Sequence, residues 1–407
     1  MRCIFALLIL CKSFAECFLR IKFACFGVQA RIYSGNGEKN EAEPSRFFSG
    51  KINDKKGDIR MKKRIVYPQP LKKGGRIAVT APSSGVEEPL HHLLKASKEA
   101  LENSGYRILE GQTIRTNDKC VSTGKEERAR ELQSFLLDDT VAAVIPPWGG
   151  EFLMDILPLL DWNLLKANRK PKWVLGYSDI STFMFAYTLL TGHATAHGTN
   201  YIDMSSGQLD GTSARWEAVL STAEGETVEQ ASSEKFQSAW DFSKPGFQLD
   251  TPTSWKILGS EDDPAYEISL EGRLLGGCMD TLSILAGTPY APVRPFVRSY
   301  CREEGVLWYL ESCEMNAADI YRHLWQMKQC GWFEHAKGIL IGRPAGYGPV
   351  KNFALQDALH HVFDGLGIPV LYDLDIGHVP PQLTLVNGAF AKVKASGGAG
   401  NVKMSFV

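Results

Sequence analysis

From Gly75 onward the chain alternates short apolar runs with amphipathic stretches of helical spacing. Residues 76–80 (Arg-Ile-Ala-Val-Thr) read as a short buried strand, and a Pro/Ser/Ser/Gly loop leads from it into a helix through Leu93 and Leu101. A helix over 126–137 runs into a strand at 141–145, and an apolar run at 172–175 ends in Gly176 before a helix through Phe183 and Tyr187 begins. Strand then helix, repeated, predicts a mainly parallel sheet covered by helices, with the loops at the carboxyl ends of the strands forming the rim of an active site. Those loops are residues 81–86, 146–152 and 176–179, all rich in Gly, Ser or Pro.

Between about Asn200 and Asp263 the periodicity fades, and Ser, Thr, Gly and Pro dominate together with Trp216, Trp240 and Trp255. This segment reads as a connector carrying a substrate-facing insertion. A second pattern starts near Tyr266: a strand at 267–270, a turn at Glu271-Gly272, a helix after Gly276-Gly277, a strand at 306–310, a helix at 317–329, and strands at 338–341, 369–374 and 383–386. The expected fold class is therefore α/β. Residues 1–60 form a leader or extension, 61–199 an N-terminal domain, 200–265 the connector, and 266–407 a smaller C-terminal α/β domain.

With 407 residues, 44% of them hydrophobic and 22% charged, the chain has room for two such domains. A formal net charge of -1 and the lack of a basic stripe with interleaved aromatics argue against a nucleic-acid polymer or a membrane surface as partner. The nine cysteines form no Cys-x-x-Cys pair, and Cys3, Cys11, Cys17 and Cys25 all fall in the leader. That usage suggests reduced thiols in a cytoplasmic protein rather than a zinc knuckle or disulfide framework. The first sixty residues carry 11 Lys and Arg against 6 Asp and Glu, with an apolar run at 4–10 behind Arg2. They read as a signal-peptide core with a cleavage site at Val28-Gln29-Ala30, which would mean export, or as sequence upstream of a functional start at Met61; the second is preferred. A membrane-spanning helix would need about 20 apolar residues, more than this run supplies.

Candidate chemistry starts at Gly176-Tyr177-Ser178-Asp179, where a strand ends in a glycine, a serine follows and a helix begins at once. A serine on such a turn holds its hydroxyl clear of the backbone, while the amides opening the helix can stabilise an adjacent anion. Taken alone, the same residues are better explained by an N-cap. Two more positions can supply an acid and a base. Glu311 ends the apolar run 305–310, as a strand-end cap or as a buried orienter for a histidine, and His378 lies in a loop rigidified by Gly377, Pro380 and Pro381. Of nine histidines it is the best-placed base; His193 and His197 flank a strand that follows the elbow helix. The order Ser, Glu, His is one that hydrolytic triads use.

Over residues 66–393 the chain resembles the serine peptidase family of LD-carboxypeptidases and microcin C immunity peptidases. The likeness rests on residues 75–84, 122–130, Gly149-Gly150, 176–179, 272–277 with Gly287-Thr288-Pro289-Tyr290, Leu310-Glu311, 338–343 and 368–378. It implies that Ser178 is the nucleophile, His378 the base and Glu311 its orienter, with no metal and no cofactor. Gly149 and Gly150, at the end of the strand 141–145, let a backbone amide approach the reacting carbonyl, so that with the Asp179 amide they form an oxyanion hole; an ordinary loop turn is the competing reading.

The chain departs from the family pattern in two places. Pro147-Trp148-Gly149-Gly150-Glu151 stands where Arg-Gly-Gly-Tyr-Gly is usual, and Cys278 where Asn is common. Relatives of one branch release D-alanine from a murein tetrapeptide, and those of the other cut the bond joining an amino acid or peptide to a nucleotide. The tryptophans favour the second, with Trp148 and Trp255 as expected substrate contacts able to stack on a base. The resemblance also implies a homodimer. A phosphate-binding module would have to use Pro82-Ser83-Ser84-Gly85, which lacks a Gly-x-Gly-x-x-Gly pattern and a Walker lysine. An inactive α/β binding protein is the alternative of another class, against which the presence of all three triad residues argues.

Overall fold

The computed structural model describes residues 63–239, 246–261, 263 and 265–407; the expectations for residues 1–60, Met61 and Trp240 lie outside them. Five strands build most of the first sheet: β1 (Arg76–Val79), β2 (Arg107–Glu110), β3 (Val141–Ile145), β4 (Trp173–Gly176) and β5 (Thr195–His197). They run parallel in the order β5-β4-β3-β1-β2. The central strands are apolar throughout and buried, as parallel strands covered on both faces must be. Helices α1 (His91–Asn103), α2 (Lys125–Leu137) and α3 (Ile180–Thr191) connect them. In α3 every residue except Leu190 is buried, because the helix packs against strands of both sheets and has no solvent face.

The remaining strands are β6 (Thr227–Ala231), β7 (Lys235–Phe236), β8 (Thr251–Pro252), β9 (Lys256–Ile257), β10 (Glu267–Cys278), β11 (Val306–Glu311), β12 (Ala336–Gly342), β13 (Val370–Leu374), β14 (Leu385–Asn387), β15 (Phe390–Ser396) and β16 (Ala399–Ser405). Eight of them form the second sheet, ordered β6-β16-β15-β10-β11-β12-β13-β9, while β7 pairs with β8. Strands β10 to β13 are mutually parallel, flanked by antiparallel pairs. Helices α4 (Ala317–Gln329) and α5 (Leu355–Phe363) join β11 to β12 and β12 to β13. Strand β14 returns to the first sheet, antiparallel to β5.

The expected turn at Glu271-Gly272 is a correction: β10 runs straight through it. Its first half pairs antiparallel with β15 and its second half parallel with β11, and the exchange falls at Arg273. A Cβ on Gly272 would come within 3.2 Å of Leu307 N, so the glycine serves close strand approach rather than a reversal. The aperiodic segment after Asn200 is woven into the second sheet, supplying both its edge strands, β6 and β9. Strand β9 has two residues and shows no period, and β6 alternates in burial but places Gln230 on its buried face, so apolar spacing does not reveal it.

Candidate active site

The elbow is held in a conformation that the chain would not adopt by itself. Ser178 has φ +71, a left-handed backbone that costs a non-glycine residue about 1–3 kcal/mol when the surroundings impose it. Asn200 imposes it by gripping the preceding peptide: its Oδ1 accepts from Tyr177 N at 3.2 Å and its Nδ2 donates to Tyr177 O at 3.4 Å. Asn200 N in turn donates to Asp203 Oδ2 at 2.9 Å, and burial pushes the Asp203 carboxyl up to about 6. Gly176 must be glycine, since a Cβ there would lie 2.6 Å from Asn200 Oδ1 and 2.9 Å from Ile180 Cγ2.

Asp179 occupies the N-cap position of α3, yet its carboxylate does not cap the helix. It accepts from Ser83 Oγ at 2.6 Å, Leu153 N at 2.9 Å and Thr182 Oγ1 at 3.0 Å. Burial raises its pKa, and these bonds offset part of that cost. The loops after β1 and β3 are thereby tied to the elbow. Arg128, buried on α2, ties the same two loops by donating to Pro82 O at 2.9 Å and Phe152 O at 3.0 Å. Ser84 N donates to Gly149 O at 3.4 Å, and Trp148 Nε1 bridges Ser84 O and Gly85 O at 3.1 and 3.2 Å.

Gly149 is packed so tightly on the elbow that a Cβ would clash with Ser178 Oγ and lie 2.9 Å from Asp179 N. Gly150, at φ +148, would clash with Ser83 Oγ in the same way. Gly149 therefore marks a close backbone approach to the Ser178 hydroxyl, and Gly150 one to the Ser83 and Ser84 hydroxyls in the loop after β1.

The second sheet brings Glu311 and His378 together across 67 residues of sequence. Glu311 closes β11 with no exposure, and His378 Nδ1 donates to its Oε2 at 2.7 Å. Gly377 at φ +93 allows this, because a Cβ there would clash with the Glu311 carboxylate. Burial alone would raise Glu311; the His378 charge and the contacts from His197 and His378 outweigh it and hold the carboxyl well below its ordinary value. Burial likewise opposes the imidazolium of His378, but the Glu311 carboxylate and Cys313 outweigh it and hold His378 well above 6.5. The rings of Tyr177, the residue before the serine, and His378 meet edge to face with centroids 4.9 Å apart.

Trp255, expected to contact substrate, is 3% exposed, and its Nε1 donates to Asp375 Oδ2 at 3.0 Å. Its ring is covered in part by Gly400, so it has no open face for a base to stack on, which corrects that expectation. Its work is on the histidine loop: Asp375 also accepts from Ser233 Oγ at 2.6 Å and pairs with Arg343 at 2.7 Å. Trp148 stays half-buried beside Gly149. Trp216 is buried against Tyr106.

Sequence reasoning passed over His197. This last residue of β5 is fully buried, pairs in register with Gly176, and sets its Nε2 3.5 Å from Glu311 Oε1, at the outer edge of hydrogen-bond range. Glu311 thus stands between two imidazoles. Asn200 was equally hidden, because its function depends on where β5 ends in space.

The two-sheet fold that carries the elbow, the glycine loop and the Glu-His pair has counterparts in known proteins. The profile of the LD-carboxypeptidase N-terminal domain matches residues 77–198, and that of the LD-carboxypeptidase C-terminal domain matches residues 271–393. The chain belongs to the LD-carboxypeptidase family. Its relatives include a putative carboxypeptidase of Streptomyces coelicolor, 28% identical over 340 residues that cover 83% of this chain and 96% of the relative. A probable murein peptide carboxypeptidase of Bacillus subtilis is 26% identical, covering 81% and 92%. The microcin C7 self-immunity protein MccF of Escherichia coli is 24% identical, covering 71% and 82%. Among solved structures, MccF in complex with glutamyl sulfamoyl guanosine superposes with a TM-score of 0.70 at 20% identity, over 84% of this chain and 98% of that one. The muramoyltetrapeptide carboxypeptidase of Oxalobacter formigenes gives 0.62 at 20% identity, over 81% and 98%. These likenesses establish the α/β fold, and membership of a peptidase family supports carboxypeptidase activity.

Proposed function

We propose that the chain is a serine hydrolase that cleaves a C-terminal amide-type bond in a small peptide-like substrate, with Ser178 as nucleophile, His378 as base and Glu311 as its orienter. The observation that carries this reading is the 2.7 Å bond from His378 Nδ1 to a carboxylate with no solvent exposure, together with the packing of the His378 ring on Tyr177, the neighbour of a serine held at φ +71. In the proposed reaction Ser178 Oγ attacks the carbonyl carbon and its proton passes to His378 Nε2. The backbone amides of Gly149, Gly150 and Asp179 receive the oxyanion. His378 then gives the proton to the leaving group, and water releases the acyl group by the same path in reverse. A fluorophosphonate that labels the parent but not Ser178→Ala supports this mechanism; equal labelling of both ends it.

For the substrate, the reading is a peptidyl- or aminoacyl-nucleotide, as in microcin immunity. Its support is the kinship with MccF and the half-buried Trp148 ring beside Gly149. The second reading, release of D-alanine from a murein tetrapeptide, is favoured by the kinship with the murein peptide carboxypeptidase and by the burial of Trp255, which removes one stacking surface. Measuring kcat/KM on both substrates, for the parent and for Trp148→Ala, separates them. A base stacked on Trp148 is worth about 1–3 kcal/mol, so the variant should lose about 5- to 150-fold on the nucleotide and little on the tetrapeptide. A parent that prefers the tetrapeptide returns the enzyme to the murein branch. A cytoplasmic homodimer is part of the same proposal, checked by light scattering and cell fractionation. No helix among the described residues is long and apolar enough to cross a membrane.

A further inference from the structure

The same geometry points to a use of Cys278 that the hydrolytic reaction does not require. Cys278 ends β10 directly beside Glu311, its register partner at the end of β11, and both side chains are buried. One donor atom each from Cys278, Glu311 and His378 lies within 4.8 Å of the other two. His378 Nε2 is buried and makes no hydrogen bond among the described residues. We propose that Cys278, Glu311 and His378 form an inhibitory site for a thiophilic divalent cation, Zn2+ in the first instance.

Thiolate, imidazole and carboxylate together suit Zn2+, whereas Mg2+ and Ca2+ prefer oxygen donors alone. Zinc-ligand bonds of about 2.0–2.3 Å place tetrahedral ligands roughly 3.3–3.8 Å apart, so side-chain rotations of an ångström or less close the set around an ion. Two carboxylates favour a cation here. Glu311 is one, and Asp280, whose Oδ2 lies 3.4 Å from Cys278 Sγ, is the other. The Asp280 carboxylate is fixed by Cys313 N and Glu314 N, each at 3.0 Å. Without a cation, burial first and then these anions push the thiol pKa up; binding displaces the thiol proton to solvent and leaves a thiolate-zinc bond, with no change of oxidation state. Inhibition follows, on the catalytic reading above, because the ion engages the imidazole and neutralises the carboxylate that orients it. Asn, the residue common in the family at this position, offers no thiolate, so the site would be particular to chains with cysteine there.

The test titrates the full chain with Co2+ as a spectroscopic stand-in and follows the thiolate-to-Co2+ charge-transfer band in the near ultraviolet. In parallel, turnover is measured with Zn2+ or Mg2+, then with EDTA. The band should appear in the parent, yield to Zn2+, and vanish in Cys278→Asn and Cys278→Ser, with unfolding midpoints confirming that both variants fold. Zn2+, not Mg2+, should inhibit the parent reversibly. In either variant the half-inhibiting concentration should rise about tenfold or more, since loss of a direct ligand costs no less than loss of its outer-shell support. A band that persists in Cys278→Asn, or Zn2+ that inhibits parent and variant alike, overturns the proposal. If the parent hydrolyses nothing, the serine mechanism fails, while the Co2+ band still decides the metal site.

Discussion

The two halves of the proposed site are built on different physical grounds. The serine half is a short stretch of chain at one strand end, in which backbone strain at Ser178 is held by Asn200 and by the Asp179 and Arg128 ties to neighbouring loops. The base half is assembled from a strand end and a loop residue 67 positions apart, and what defines it is charge: a buried carboxylate between two imidazoles. Damage to the first half should therefore appear as lost geometry that pH cannot restore. Damage to the second should move pH profiles.

The largest effects come from removing a reacting group on either side. Ser178→Ala and His378→Ala should each lower kcat by about 10^4–10^6, and the double variant by little more than either alone, because the groups act as a unit. A double variant worse by the product of the two factors would show two independent contributions and break the comparison.

Glu311→Gln comes next, with an expected loss of about 10^3–10^4 in kcat. As a base, His378 must be neutral, and Glu311 raises its pKa, so kcat/KM of the parent should climb with pH through a value above 6.5. Removing the charge should move that limb to lower pH even as the plateau falls. Stability changes in a matching way. The stabilisation from Glu311, whose folded pKa is depressed, is present above about pH 4.3 and is lost as pH falls through the folded value. That from His378, whose folded pKa is raised, is full below about pH 6.5 and is lost as pH rises through the folded value. Urea titrations across pH should therefore be flatter for Glu311→Gln than for the parent. An unmoved limb would mean that His378 is not the titrating base.

Gly149→Ala tests the geometric half. The added methyl would clash with Ser178 Oγ and push the loop off the elbow, and an oxyanion donor moved out of reach costs up to about 10^2–10^3 in kcat. The pH limb should stay where it is in the parent. A shifted limb would couple the two halves and blur the distinction.

The sequence made these halves legible to different degrees. The β4 to α3 elbow could be read because strand, glycine, serine and helix are contiguous, and α4 (Ala317–Gln329) because its apolar spacing is regular and Asn316 caps it, accepting from Asp319 N at 3.0 Å. Glu311 and His378 were identifiable as candidates, but their pairing rested on resemblance, since nothing local links the end of β11 to the loop after β13. Long-range closure also hid the rest. Gly272 reads as a turn until β11 is placed against it, β9 is too short for a period, and β6 buries Gln230 where an apolar residue would have marked the strand. Trp255 looked like a ligand surface because burial cannot be seen in composition, and its indole proves to be occupied by Asp375.

The smallest expected effect belongs to His197, and it sharpens the comparison most, because this residue sits on the first sheet yet acts on the charge of the second. Its Nε2 lies 3.5 Å from Glu311 Oε1, opposite the oxygen that His378 uses, so it can fix the carboxylate rotamer without touching the serine. A well-formed hydrogen bond to a charged group is worth about 1.5–3 kcal/mol, and this 3.5 Å contact falls short of one, so His197→Leu should lower kcat by no more than about tenfold with KM nearly unchanged. His197→Asn, which keeps a donor, should recover part of that loss. Without the donor the Glu311 pKa rises toward its unfolded value, so the acid-unfolding midpoint of His197→Leu should move to higher pH. A purely packing role would lower stability at every pH by a similar amount and leave Asn no better than Leu. If His197→Leu keeps the parent's kcat and acid midpoint, the carboxylate is fixed by His378 and the backbone alone, and the charge-defined half of the site ends at Glu311.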